Sequence, residues 1–193
     1  LLNPLIHREQ WFGAQAVIDG NFDREMYEVY LNNDFCNGFF AWVVPESEKS
    51  AIAGLAAKER PSFNFERFMR KRFGDGFRKK VSSYRGGLIP MHYPGAACQK
   101  DDVFLVGDAA GHVKATTGGG IIPGMLAAEA LAESFRTGKS YEKLWRKRTG
   151  LNLKMHLKIR QMLNKFSDRD YNWLIALMNK RKPQGVMANA DRE

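Results

Sequence analysis

The sequence predicts an α/β (α+β) fold: an antiparallel or mixed sheet carrying one helix, then a strand–loop–helix unit, then a helical carboxyl-terminal region. Three observations carry this. Between Trp11 and about Ala57, short runs rich in aromatic and β-branched residues alternate with turn signals. Residues Val103-Phe104-Leu105-Val106 form a continuous apolar run that leads straight into a glycine-rich loop. Beyond Ser140 the apolar residues recur at sums of three and four, the helical period.

Taken in order, the turns Asp19-Gly20, Asn32-Asn33-Asp34 and Asn37-Gly38 separate candidate strands Gly13–Ile18, Glu25–Leu31, Gly38–Val44 and Ser50–Leu55, a spacing that suits an antiparallel meander or open mixed sheet. Asn64 precedes an apolar stripe, Phe65, Phe68, Met69 and Phe73, which stops at Gly74 as a short amphipathic helix would. A strand over about Lys80 to Tyr93 follows. Val103–Val106 reads as a strand of a parallel sheet covered on both faces. Ile121–Phe135 is a small-residue helix with Pro123 in its first turn and Gly138 past its end. Ser140 caps a further helix, which Gly150 kinks or splits. Ser167-Asp168-Arg169-Asp170 is a capping box, with Asp in the fourth place, opening a last helix through about Asn179. A loose tail with Pro183 and Gly185 is expected from Arg181. These elements group as residues 1–100, 101–139 and 140–193.

The 193 residues include 30 Lys and Arg against 21 Asp and Glu, a net charge of +9. With 44% hydrophobic and 26% charged residues the composition is that of a globular chain that buries roughly 70% of its unfolded surface. The longest apolar runs, Phe39 to Val44 and Trp173 to Met178, fall far short of the roughly 20 residues a membrane-spanning helix needs, so any membrane role is peripheral. Cys36 and Cys98 lack the spacing of a zinc site or disulfide scaffold, and a reducing cytoplasm is the expected setting. The chain opens Leu1-Leu2-Asn3-Pro4, without an initiator Met or a signal pattern, which suggests a piece of something longer.

The chemistry concentrates between Val103 and Gly124. A strand ending at Gly107-Asp108 places a carboxylate at the carboxyl edge of a parallel sheet, where open α/β folds bind ligands and where it can accept hydrogen bonds from hydroxyls. The run Gly118-Gly119-Gly120 lets bare backbone approach a flat or anionic group, and the helix start behind it adds unpaired N–H groups and positive dipole. A nucleotide P-loop does not fit: Gly138-Lys139-Ser140 would require glycine where Glu133 stands. No G-x-G-x-x-G occurs in the chain.

These residues resemble the FAD-dependent geranylgeranyl reductases, in particular the archaeal digeranylgeranylglycerophospholipid reductases. In that family and in related flavin monooxygenases, a Gly-Asp-Ala-Ala-Gly segment closes a strand near the FAD ribityl chain, and a Thr-Gly-Gly-Gly-Ile segment begins the helix beneath the flavin. Both are present as Gly107–Gly111 and Thr117–Ile121. The family's Tyr-x-Trp-x-Phe-Pro substrate segment corresponds to Phe40-Ala41-Trp42-Val43-Val44-Pro45, with Trp and Pro retained and Phe40 and Val44 substituted. The resemblance implies the carboxyl-terminal half of an FAD-binding, Rossmann-like flavoprotein of the p-hydroxybenzoate-hydroxylase type. Its amino-terminal βαβ, with the dinucleotide fingerprint, would come from a missing half or an associated chain.

On this resemblance FAD is the cofactor, held by Gly107, Asp108, Ala109, Gly111, Gly118, Gly119, Gly120 and Ile121. Phe40, Trp42 and Pro45 would line an isoprenoid lipid substrate, whose carbon–carbon double bonds the flavin reduces. The electron donor is not identified, no catalytic residue is assigned, and Cys36 and Cys98 receive no catalytic role. His112 is a candidate proton donor against the plainer reading of a solvated or capping residue. A monooxygenase or halogenase on the same fold is the alternative enzyme. Eight basic residues and one acid between Glu142 and Lys165, and seven against two between Asn64 and Lys80, offer faces for anionic lipid on the inner surface of a membrane or simply for solvent. A non-catalytic basic membrane-binding fragment is therefore a further alternative. No nucleic acid is expected, because the aromatic residues mostly sit at core-periodic positions and not on stacking platforms, and no metal, because the two cysteines lack zinc-site spacing.

Overall fold

The computed structural model describes residues 10–181, and the expectations for Leu1-Leu2-Asn3-Pro4 and for the tail with Pro183 and Gly185 lie outside them. Five strands, β1 (Gln10–Asp19), β2 (Glu28–Tyr30), β3 (Ala41–Pro45), β4 (Ser50–Ala57) and β5 (Val81–Pro90), form one sheet in the order β2-β3-β4-β1-β5. Every neighbouring pair is antiparallel. The sheet departs from a simple meander because β1 enters between β4 and β5. The strand expected at Glu25–Leu31 shrinks to a three-residue edge, and its following turn is a single helical turn, α1 (Asn33–Cys36), whose Asp34 N–H donates to the Asn32 side chain and whose Asn33 N–H donates to the Asp168 carboxylate.

Period-two alternation gives the sheet two different faces. One presents Ala16, Ile18, Ala41, Val43, Ala51, Ala53 and Leu55, and the small alanines let α2 (Pro61–Phe73) lie close with Phe65, Phe68 and Met69 buried against them. This helix starts at Pro61, earlier than the sequence suggests, and ends at Gly74, whose N–H donates to the Arg70 carbonyl. A 3-10 turn over Asp75–Lys80 adds Phe77 to the same cluster. The other face carries Trp11 and Ala56, packed with Phe39, Met91 and Ala115.

Val103–Val106 corrects the expectation of a buried parallel strand. Only Val103–Phe104 (β7) is strand, paired antiparallel with β6 (Gln99–Lys100), and Val103 is exposed. A parallel strand needs a neighbour delivered by a crossover connection, and among the described residues only β6 lies beside it. The helices follow the sequence more closely. The helix α3 (Ile121–Thr137) ends at left-handed Gly138, and Ser140 caps α4 (Tyr141–Trp145). Where Gly150 was expected to kink the chain, Arg146–Gly150 forms a π-helical stretch that runs on into α5 (Leu151–Leu163). The capping box that opens α6 (Asp168–Arg181) is reciprocal: Asp170 Oδ2 accepts from the Ser167 N–H at 2.8 Å, and Ser167 Oγ accepts from the Asp170 N–H at 3.3 Å. Residues from both sides of Gly138, namely Cys98, Ala110, Ala127, Ala130, Tyr141, Trp145 and Leu153, share one core. Among the described residues no helix is long and apolar enough to cross a membrane.

The edge strand β2 is anchored to α2 by a two-pronged ion pair, Arg72 Nε to Glu28 Oε2 at 2.7 Å and Arg72 Nη2 to Glu28 Oε1 at 2.6 Å, and the Tyr30 hydroxyl donates to the same carboxylate. The Arg72 hydrogen bonds hold Glu28 below its usual 4.5. The unfolded chain therefore binds the extra proton, so the stability from this pair is present above pH 4.5 and is lost as the pH falls below it. Denaturation of the full-length protein between pH 7 and pH 3 is expected to show a steeper loss of stability for wild type than for Glu28→Gln. Parallel profiles would remove the pair from the acid sensitivity.

Candidate active site

The glycine-rich segment folds as two turns packed against the start of α3. Residues Gly107–Ala110 make a 3-10 turn bracketed by Gly107 and Gly111, both at positive φ, and this turn presents Asp108 and Ala109 to solvent. Gly111 itself is buried, and its carbonyl accepts a 3.1 Å hydrogen bond from His92 Nδ1. The chain then doubles back through Lys114, whose carbonyl accepts from Thr117 and Gly118 and whose N–H donates to Gly119. Gly118 adopts φ +72, a conformation that a side chain would strain, and a Cβ there would sit 3.3 Å from Ile89.

At Gly120 the two halves of the motif meet. A Cβ on this residue would lie 2.7 Å from Asp108 Oδ1, so only glycine lets the carboxylate rest beside the helix start. Gly120 provides no side-chain cap to α3, and Ile121 and Ile122 are exposed in the first turn, whose N–H groups have no carbonyl within the helix to receive them. The positive end of the helix dipole thus stands next to a carboxylate at the mouth of an open cavity of about 540 Å³, lined by Asp108, Gly118, Gly120, Ile121, Gly124 and Met125. Six of the eight residues assigned to the cofactor are brought together on this surface or beside it, Gly119 being an exposed neighbour. Gly107 lies against Gly124 underneath, and Gly111 serves the turn from within.

His112 is neither solvated nor at the surface. It is fully buried, 4.6 Å from the Trp145 ring, with Nδ1 accepting from the Gly107 N–H at 3.3 Å and Nε2 3.8 Å from Cys98 Sγ. These contacts give it the role of a core residue that shapes the loop. Cys36 is also buried, donating to the Asn32 and Tyr30 carbonyls, and burial pushes its thiol up to about 11.

The second candidate surface lies on the Trp11 face of the sheet. The register aligns Trp42, Gly54, Gln15 and Arg85 across β3, β4, β1 and β5, and the adjacent register pairs on the last two strands are Ala14 with Gly86 and Gly13 with Gly87. The Trp42 ring lies flat over Gly54, where a Cβ would be 2.6 Å from the indole. Phe40 stacks on Phe39 at 4.5 Å and meets Trp42 edge-on at 5.7 Å. A groove of about 270 Å³ results, floored by glycine backbone and walled by Trp42 and Ile89. Pro45 does not join this wall: it pairs with Ala51, and alternation along β3 points it to the α2 face. Ile89 and the glycine floor were not singled out in the sequence, although Gly86-Gly87 inside a strand is a signal of close approach by another group.

One buried cation joins the two surfaces. Arg160, 2% exposed, donates from Nε to the Ala115 carbonyl at 3.0 Å, from Nη1 to Gly38 at 2.9 Å and from Nη2 to Thr116, and stacks over Phe39 at 4.6 Å. Burial pushes its pKa down. Of the eight basic residues between Glu142 and Lys165, Arg146 and Arg148 are also engaged, Arg146 with Glu142 and the Pro94 and Ala96 carbonyls, and Arg148 with Glu129 and Glu133. The run is thus partly internal scaffolding. Arg160→Met leaves three carbonyls without their donor and is expected to cost about 2–4 kcal/mol, read as a lowered denaturation midpoint that Arg160→Lys recovers in part. A midpoint within about 0.5 kcal/mol of wild type would deny Arg160 this role.

No family model matches the chain. A digeranylgeranylglycerophospholipid reductase from Methanothermobacter thermautotrophicus is 33% identical over 170 residues, which cover 79% of this chain and 43% of the relative. A solved geranylgeranyl bacteriochlorophyll reductase-like protein from Thermoplasma acidophilum superimposes with a TM-score of 0.71 at 22% identity, covering 84% of this chain and 46% of that one. A probable FAD-dependent monooxygenase from Pseudomonas aeruginosa shares the fold at TM-score 0.52 and 16% identity, over 82% of this chain and 49% of that one. The chain spans less than half the length of the curated relatives it matches. By sequence and by fold, it belongs to the digeranylgeranylglycerophospholipid reductase family, as the counterpart of the carboxyl-terminal part of its members.

Proposed function

We propose that this chain supplies the substrate sheet and the flavin-contacting loop of an FAD-dependent reductase acting on carbon–carbon double bonds of isoprenoid chains in membrane lipids. The observation that carries the reading is the closeness of Gly118, which lines the loop cavity, to Ile89, which walls the Trp42 groove, so a ligand over the loop would lie near a chain on the glycine floor. The sequence relatives named as digeranylgeranylglycerophospholipid reductases support the substrate class, and the 16% identical monooxygenase neighbour supports only the fold.

The residues present fit a flavin. The exposed Asp108 carboxylate, at the mouth of the loop cavity, would accept hydrogen bonds from ribityl hydroxyls, and the bare Gly118–Gly120 backbone would leave room for a flat ring. When bound, the reduced flavin supplies the hydride. The start of α3, with its unpaired N–H groups and helix dipole, would stabilise negative charge on a bound reduced flavin without reorganisation. Trp42 and Ile89 present an apolar wall that would orient an isoprenoid and keep water from it, with Phe40 outside the groove lining and edge-on to Trp42, while Pro45 lies on the far face of the strand. Peripheral contact with a bilayer would give the site its lipid: α5 exposes Leu151, Met155, Ile159 and Met162 among Lys154, Lys158 and Lys165. The pyrophosphate-binding half and the electron donor come from outside the residues described.

In the full-length protein Asp108→Ala is expected to lower flavin content on purification, by about tenfold in affinity for the loss of a charge-assisted contact. Unchanged flavin stoichiometry would refute the assignment. Trp42→Ala is expected to raise KM for the isoprenoid by about tenfold with flavin content unaltered, whereas the reverse ranking would take Trp42 out of the groove. Anaerobic turnover with reduced flavin decides the reaction itself: saturated isoprenoid product supports reduction, and a requirement for oxygen with hydroxylated product overturns it.

A further inference from the structure

The inward stripe of α5 is half polar. Between residues 151 and 160 only Leu153, His156, Leu157 and Arg160 are buried or half-buried, a spacing that places all four on one side of the helix. Leu153 joins the core around Trp145, and Leu157 packs against the cluster of Trp11 and Phe39. The two polar members meet a single target. Arg160 donates to the Ala115 and Thr116 carbonyls, and His156 Nδ1 lies 2.6 Å from Thr116 Oγ1. The π-helical stretch Arg146–Gly150 sets this facing, since a turn that takes in one extra residue rotates everything after it by about 100°.

Ala115 and Thr116 are the central pair of the turn that leads into the glycines. The Lys114 carbonyl accepts from the Thr117 N–H at 3.2 Å and from the Gly118 N–H at 2.9 Å, and the Lys114 N–H donates to the Gly119 carbonyl at 2.9 Å. A rotation of the peptide between Ala115 and Thr116 is therefore passed on to Gly118 and Gly119 through these hydrogen bonds. The Arg160 contacts are to main-chain oxygens and form whatever residues stand at 115 and 116. The His156 contact is to a side chain, so it makes the identity of residue 116 matter. Threonine suits it, because branching at Cβ restricts χ1 and ties the hydroxyl to its own backbone. Both partners are half-buried, where a hydrogen bond is electrostatically stronger than in open water.

We propose that His156 is a positioning residue of the flavin site: through the Thr116 hydroxyl it holds the turn of residues 114–119 in the shape that presents the Gly118–Gly120 backbone to the cofactor. This rests on the reading of the loop as flavin-contacting, and it deepens that reading by giving the loop a side-chain fastening on α5 besides the main-chain one at Arg160. His156 lines neither the loop cavity nor the Trp42 groove, so its effect reaches the cofactor only through the backbone it holds. A turn released from His156 keeps its sequence and its Arg160 contacts. What it loses is fixed placement, and donors stabilise a developing charge well only when they are already in position.

Four variants of the full-length protein separate this role from a merely structural contact. His156→Ala removes the ring and Thr116→Val removes the hydroxyl with its shape kept, whereas His156→Asn sets an amide where Nδ1 stands and Thr116→Ser keeps the hydroxyl. In the flavin-free protein, hydrogen exchange at the Thr117 and Gly118 amides is expected to be about tenfold faster in His156→Ala and Thr116→Val than in wild type, and restored in the two conservative variants. In the flavin-loaded protein, each disruptive variant is expected to bind reduced flavin about tenfold more weakly relative to oxidised flavin, which for a two-electron couple is a potential about 30 mV more negative. The double variant is expected to match either single one, because both remove the same contact. Exchange at the wild-type rate, an unmoved potential, or single effects that add in full would each overturn the proposal. Wild-type protein that takes up no flavin refutes the flavin reading and not the fastening, which the exchange rates decide.

Discussion

A guanidinium in the last turn of α5 decides where the loop and the sheet stand relative to each other. Arg160 reaches the Gly38 carbonyl, 122 residues away in sequence, and the Ala115 and Thr116 carbonyls at the turn of the glycine loop. These acceptors belong to irregular backbone that has no sheet or helix to satisfy it, and a buried carbonyl without a donor is costly. One planar, five-donor cation meets the need at three points and is itself stabilised by the Phe39 ring beneath it. With that tie in place Gly118 rests against Ile89 and Phe39.

Glycine does two kinds of work around this junction. In the loop it allows backbone conformations and a contact, Gly120 against the Asp108 carboxylate, that a methyl group would prohibit. In the sheet its effect is one of space. Gly54 lets an indole lie flat on the strand next to it, and Gly13, Gly86 and Gly87 leave a strip of sheet with no side chains. Strand glycines weaken a sheet by entropy and lost packing, and here they are concentrated where the Trp42 groove lies. The structural stability comes from elsewhere: the alanine-rich face under α2, and the shared core of α3, α4 and α5 around Tyr141, Trp145 and Leu153.

The same physical logic separates two groups of charge that look alike in the sequence. Arg146, Arg148 and Arg160 lie in one basic run with Lys154, Lys158 and Lys165. The arginines form multipoint, planar contacts with carboxylates and carbonyls, for which a guanidinium is suited, whereas these lysines are exposed, Lys154 and Lys158 on α5 and Lys165 in the turn after it. Net charge alone therefore overstates what α5 can offer a membrane surface. Its exposed apolar side chains, set among lysines, are the more telling feature.

Local signals were enough for the sequence to determine much of this protein. The alternating runs before Ala57, the Gly74 and Gly138 stops, the Ser140 and Ser167 caps and the glycine-rich segment before Ile121 each depend on residues within one turn or one strand of each other, and each appears in the structure within a few positions. The family was legible for the same reason, since Gly107–Gly111, Thr117–Ile121 and Trp42 are contiguous patterns. Tertiary structure decided what depends on partners distant in the chain. Val103–Val106 has the composition of a buried parallel strand, but strand type is set by the neighbour, and β6 is the neighbour here. Pro45 shares a motif with Trp42, but pleating sends the two to opposite faces. His112 reads as a loop histidine until Trp145 packs on it, and Arg160 reads as one more surface cation until three carbonyls converge on it. Sequence fixes periodicity and local conformation; burial and hydrogen-bond partnership arise only when segments a hundred residues apart meet.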